Sequence, residues 1–190
     1  MKRQKVSWIV LSVLVLLMFV PVQVYAAYEF YVTIEGTKQG KFKGESTREG
    51  LQNKIPGVGF QYEVKSPRDV ATGQASGKRQ HGALVIIKEW GAASPQLFQA
   101  LVTNEVLKSV QIEFVRTDQS GREYVFQTIR LTNATVSNFK KYISVAECGT
   151  STAKMQPAYA TKLEDISITF QRIDFTDVNG KTAAADDWTK

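Results

Sequence analysis

One cysteine and one histidine in 190 residues close off several kinds of protein before any motif is read. Cys148 alone makes no intrachain disulfide, so this is not a small scaffold held by bridges. It reads as a thiol in a strand end or loop, with a bond between copies as the lesser alternative. His81 and Cys148 together fall short of a zinc ligand set. Neither lies in a motif that would activate a nucleophile. Asp174, Asp177, Asn179 and Gly180 lack the spacing of a calcium loop, and Gly57-Val58-Gly59 is not followed by the helix that a dinucleotide fingerprint needs. No metal, no cofactor and no catalytic set are expected, and the chain reads as a non-enzyme.

Long apolar runs are equally scarce. Residues 8–20 form one, thirteen residues broken only by Ser12, with Lys2, Arg3 and Lys5 ahead of it and Pro21 behind. That is short of the about 20 residues a membrane span needs, and it fits the apolar core of a secretory signal. Val24-Tyr25-Ala26 supplies the small residues of a cleavage site, so residues 1–26 are expected to be a signal peptide cut after Ala26, with no stable membrane anchoring afterwards. Residues 27–190 then form one domain by length, large enough to bury a core without a disulfide.

A surplus of one charge is also missing. The formal net charge is +6, but three basic residues and no acidic ones lie in 1–26, which leaves +3. That is too little to point to nucleic acid. The one basic cluster, Lys65, Arg68, Lys78, Arg79 and His81, reads as a solvated loop.

What the chain has is alternation. Residues 27–34, 41–45, 60–64, 83–90, 110–116, 124–129, 133–143 and 163–173 each read as strands, and Asn179-Gly180 is a hairpin turn. Between them lie three long loops, 46–59, 66–82 and 146–160, of a length that usually serves a function. Only one helix is convincing. Gly91-Ala92-Ala93 breaks a strand, Ser94 stands at the N-cap, Pro95 follows, and Leu97, Phe98, Leu101 and Val102 fall on one face. Strand, helix, strand over 81–116 makes this the piece around which the rest is arranged. Many strands, one helix and no βαβ rhythm predict a mainly β fold, an antiparallel β-barrel with one short flanking α-helix.

Several of these pieces occur in a familiar order. Gly44-Glu45-Ser46-Thr47 follows the first hairpin, His81 precedes the apolar strand, and Ala93-Ser94-Pro95-Gln96-Leu97 with Ala100 makes the helix. Val110, Ile112 and Arg116 mark the next strand, and Phe170-Gln171-Arg172-Ile173 comes before the Asn-Gly turn and Trp188. In this the mature chain, 27–188, resembles the haemolysin-coregulated protein (Hcp) family, the tube subunit of bacterial type VI secretion. The resemblance implies a barrel that forms a ring-shaped homohexamer, whose rings stack into a hollow tube with room for small effector proteins. Sheath and spike proteins would be its further partners. Ser46, Thr47, Arg48, Glu49, Gln52, Asn53 and Lys54 would lie on the loop that touches the neighbouring ring. Members of the family assemble in the cytoplasm and are then secreted, whereas residues 1–26 point to a secreted or periplasmic product. A second reading therefore stands beside the tube: an exported barrel acting as a binding module outside the cytoplasm.

Overall fold

The computed structural model describes residues 29–145 and 160–189. The expected signal segment, its cut after Ala26, and Cys148 lie outside the described residues. The elements run β1 (Glu29–Gly36), β2 (Gly40–Lys41), β3 (Ile55–Gly57), β4 (Gly59–Gln61), β5 (Val64–Lys65), β6 (Gln80–His81), β7 (Leu84–Glu89), α1 (Ser94–Val102), β8 (Leu107–Thr117), β9 (Glu123–Val145), β10 (Ala160–Asp177) and β11 (Thr182–Asp187). Nine strands share one antiparallel sheet in the order β2-β1-β8-β9-β10-β7-β4, with β3 on β1 and β11 on β10, while β5 and β6 pair separately.

The spine is the ribbon of β9 and β10, paired from Val145 opposite Ala160 to Gln127 opposite Asp177. β7 covers the first half of the free side of β10 and β11 the second. Residues 124–129 and 133–143, read from the sequence as two strands, are thus one strand of 23 residues. Asn133, at φ 50°, supplied the apparent break. A register shift between Ser167 and Ile168 bends the ribbon without ending it, as a bulge does.

The sheet has two ends, so it is not the closed barrel that the sequence predicted. The segment from β3 to β4 offers only three residues to β1 and three to β7. Val58 divides the two, and Pro56 has no N–H to give to a ladder. Both end strands are short, which limits the unpaired edge open to other chains.

Alternation places Phe30, Val32, Ile34, Val110, Ile112, Ile129, Leu131, Ile166 and Ile168 in one core, closed by Leu97 and Ala100 of α1. Tyr31 points to the other side of β1, as the period of two requires, yet it too is buried. It packs with Leu51 and Val115 in a second, smaller cluster. Leu51 belongs to the long loop after β2, so that loop lies across the outer face of the sheet.

Candidate functional site

The loop over 46–54 is a compact turn held by its own backbone. Ser46 N–H donates to Lys54 O (3.1 Å), Asn53 N–H to Ser46 O (2.9 Å) and Leu51 N–H to Arg48 O (3.0 Å). Asn53 and Gly50 take positive φ, 58° and 74°. Leu51, 7% exposed, is the anchor. Arg48 donates to the Tyr31 hydroxyl (2.9 Å) and pairs with Glu123 (2.6 Å), and Lys54 pairs with Glu113. Of the seven residues expected to reach a neighbouring ring, Arg48 and Lys54 are therefore engaged on the chain's own sheet. Ser46 and Lys54 are half-buried, and Thr47, Arg48, Glu49, Gln52 and Asn53 are exposed. The lone leucine in a polar stretch was the sequence signal for this docking, and it went unread.

The second long loop, between β4 and β7, carries β5 and β6 and is exposed almost throughout. It is ordered from within. Asp69 Oδ1 accepts hydrogen bonds from the Thr72 N–H (2.8 Å), the Thr72 hydroxyl (2.8 Å) and the Ala71 N–H (3.1 Å). The Thr72 bonds, the hydroxyl's first, hold its carboxyl below the usual range. Val70 at its tip is fully exposed.

The base of this arm is clamped to the chain's last strand. The Tyr62 hydroxyl meets His81 Nδ1 at 2.5 Å, and His81 Nε2 meets Asp186 at 2.8 Å. In the neutral imidazole, a carboxylate facing Nε2 favours the proton on that nitrogen, which leaves Nδ1 to accept from the Tyr62 hydroxyl. Arg79 grips both carboxylate oxygens of Asp186 and donates to Asp187 O. Trp188 packs against the imidazole, ring centres 5.3 Å apart. Burial pushes the Tyr62 hydroxyl up, with the Asp186 charge adding to it. The Arg79 hydrogen bond, ahead of that from His81, pulls Asp186 down. Two members of the basic cluster read as a solvated loop, Arg79 and His81, thus have fixed partners. His81 keeps only 4% of its side chain exposed.

The helix is seated on a buried ion pair. Lys88 Nζ and Glu164 Oε1 lie 3.1 Å apart, and the Ser94 hydroxyl donates to the same oxygen at 2.7 Å while accepting from Gly91 N–H at 3.0 Å. Ser94 is consequently not the expected N-cap but the first helical residue, after Ala93, which makes no side-chain cap. Pro95 keeps its place in the first turn. A Cβ on Gly91 would overlap the Glu45 carboxylate, so a side chain there would displace Glu45 from its place beside the helix start.

With Leu97 and Ala100 inward, the other side of α1 is left apolar and open. Phe98 and Val102 are 52% and 53% exposed, a spacing of four that places them side by side. Phe98 meets Phe139 of β9 edge-on at 6.1 Å. Two steps further along each time, on the same face of β9, stand Lys141, whose ammonium sits 4.5 Å from the Trp90 ring centre, and Ile143, again exposed.

Among the described residues, no group of three or more His, Cys, Asp or Glu is placed to hold a metal, and no helix is long and apolar enough to cross a membrane. The arrangement offers surfaces for contact.

Residues 31–176 match the family model described as type VI secretion system effector, Hcp. The chain is 33% identical over 167 residues to the major exported protein of Pseudomonas aeruginosa, covering 83% of this chain and 94% of that one. Its fold resembles a crystal structure of an Hcp protein, with a TM-score of 0.73 and 25% identity over 84% of this chain and 99% of the other. It also resembles the secreted protein Hcp3 of Pseudomonas aeruginosa, at TM-score 0.67 and 29% identity over 85% and 99%. Matched over most of its length by the family model and by a relative of this identity, the chain belongs to the Hcp family of the type VI secretion system.

Proposed function

We propose that this protein is a structural subunit of a type VI secretion tube. In this reading it closes into a six-membered ring, and its rings stack into a hollow conduit that carries small effector proteins and works with sheath and spike. The family is a structural one and the chain is not an enzyme. One observation carries the assembly reading: the apolar surface of Phe98 and Val102 on α1, both about half exposed, with half-buried Phe139 of β9 packed against Phe98. Large apolar groups clustered on a soluble protein mark a contact surface. A patch on one subunit that meets a different surface on the next makes a head-to-tail interface, which builds a ring when the rotation closes.

Stacking is assigned to the loop over 46–54. Since Arg48 and Lys54 serve the chain's own sheet, the groups left to face a neighbouring ring are Thr47, Glu49, Gln52 and Asn53. Residues 1–26 are assigned as a signal peptide that brings the protein out of the cytoplasm. Export agrees with the name of the Pseudomonas relative. It also keeps a second reading in view, an exported module that binds a surface outside the cell.

The test is the mass of the purified native protein by light scattering, with the N-terminus read by mass spectrometry. A sixfold mass that Phe98→Asp reduces to that of one subunit supports the ring. A single-subunit mass at every concentration, with Ala27 first, overturns it in favour of the binding module.

A further inference from the structure

The outer face of the β8, β9 and β10 region holds an open trough of about 580 Å³ lined by Gln111, Thr128, Arg130, Thr132, Arg172, Asp174 and Thr176. Its layout follows from the register. Arg130 lies opposite Gln111 on one side and Asp174 on the other. Thr128 and Thr132 are its neighbours two residues away on the same face of β9. The wall beyond is low, because Asp174 and Thr176 pair with Ala185 and Ala183 of β11. A long cation thus stands in a field of short side chains.

What these groups do with their hydrogen bonds decides what the trough takes. Asp174 is used up by Arg172, which donates to it through two nitrogens at 2.5 to 3.1 Å. The Gln111 amide donates to Glu113. Among the described residues, the Arg130 guanidinium and the hydroxyls of Thr128, Thr132 and Thr176 make no hydrogen bond or ion pair. Arg172 is balanced by Asp174, with Asp187 opposite it on β11, and Arg130 is the cation of the lining that has no carboxylate of its own. A guanidinium presents a planar fork that carboxylates fill with two parallel hydrogen bonds.

We infer that this trough is a docking site for an acidic peptide segment of a partner protein, with Arg130 receiving a carboxylate and the three threonine hydroxyls the oxygens around it. The site stands on groups remote from Phe98 and does not depend on the ring.

The test uses the full chain and a fluorescein-labelled hexaglutamate peptide, with binding read by anisotropy at low salt and assembly mass read on the same samples. Hexaglutamate is expected to bind and hexalysine not to bind. Arg130→Gln is expected to weaken binding roughly tenfold, the loss of one charged hydrogen-bond pair, at unchanged mass. Lys78→Gln, an exposed lysine on the arm, is expected to bind as the unaltered protein does. The inference is overturned if hexaglutamate does not bind, or if Arg130→Gln and Lys78→Gln weaken it equally. Inorganic phosphate displacing the peptide at equal concentration would reassign the trough to a free anion. A change of mass in Arg130→Gln would reassign it to contact between copies.

Discussion

Lys88 and Glu164, 76 residues apart in sequence, place an ammonium and a carboxylate oxygen 3.1 Å apart with side chains 1% and 0% exposed. Around them Ser94 bonds the same Glu164 oxygen, Glu45 lies 3.8 Å from Lys88, and Lys141 lies 3.6 Å from the second Glu164 oxygen, which has no hydrogen bond. A buried pair is weak evidence of net stability, but removing one partner strands the other. Lys88→Met is therefore expected to destabilise by about 3–5 kcal/mol. Lys88→Met with Glu164→Leu is expected to be less harmful than Lys88→Met alone. Urea midpoints of the single and double variants decide, and strictly additive losses would count against a coupled pair.

Leu51 tests the docked loop. It is the one large apolar side chain of 46–54 and packs on Tyr31 and Val115. Leu51→Ala in so small a cluster is expected to cost about 2 kcal/mol, the low end for a buried leucine. It should also raise proteolysis within 46–54. If stacking depends on this loop, Glu49→Lys is expected to reduce ring stacking while leaving both urea stability and the mass of a single ring unchanged. Electron microscopy of concentrated samples separates stacked from single rings.

Glu105 ties the turn between β1 and β2 to the start of β8. It accepts from Lys38 N–H (2.6 Å), Gln39 N–H (2.8 Å) and the Gln39 amide (2.8 Å). Burial pushes its carboxyl up, but the hydrogen bonds from Gln39 and Lys38 outweigh this, and it titrates below the ordinary 4.5. A carboxyl lowered in the folded state stabilises fully above its unfolded value and loses that contribution as pH falls through the folded one. Glu105→Gln is therefore expected to be less stable than the unaltered protein at pH 7, with the gap closing below about pH 4.5. Denaturant midpoints across pH 3–7 read it, and a gap independent of pH would sink the account.

Much of the fold was legible because alternation is local. The buried sets of β1, β8 and β10 follow from period, the helix α1 from its apolar spacing, and the hairpin at 178–181 from its Asn-Gly pair, although the positive φ falls on Lys181 rather than on Asn179 or Gly180. What was not legible is non-local. Asn133 looked like a strand boundary, since nothing in the sequence says that its positive φ is absorbed within a continuous ladder to β10. Ser94 looked like a cap, because its bond to Glu164 joins residues 70 positions apart. The stretch 81–116, legible as strand, helix and strand, supplies β7 and β8, which join the β9–β10 ribbon to β4 on one side and to β1 on the other. The segment 46–54 is legible as a loop from its polar, aperiodic sequence, but its direction is not. Whether Arg48 looks to solvent or to Tyr31 depends on a leucine whose partners lie on strands far away. The trough around Arg130 was missed entirely, since it exists only where three strands come into register.

The clamp between the arm and the last strand gives the final prediction. Arg79 and His81 close on Asp186, and Trp188 covers the imidazole. The Arg79 hydrogen bond first, then that from His81, hold the Asp186 carboxyl below its ordinary 3.8. By the same sign rule, the clamp is at full strength above that value and is lost as pH falls through the lowered one, when the carboxyl is protonated. Asp186→Asn removes the charge at every pH. It is expected to speed amide hydrogen exchange in 182–189 and in 79–81 at pH 7, while β9 and β10 keep their protection, since a local opening need not unfold the core. Arg79→Gln is expected to do the same more weakly, because His81 still holds Asp186. Equal acceleration throughout β9 and β10 would mean that the clamp supports the whole fold rather than the arm, and unchanged exchange in 182–189 would mean that β10 alone holds the last strand.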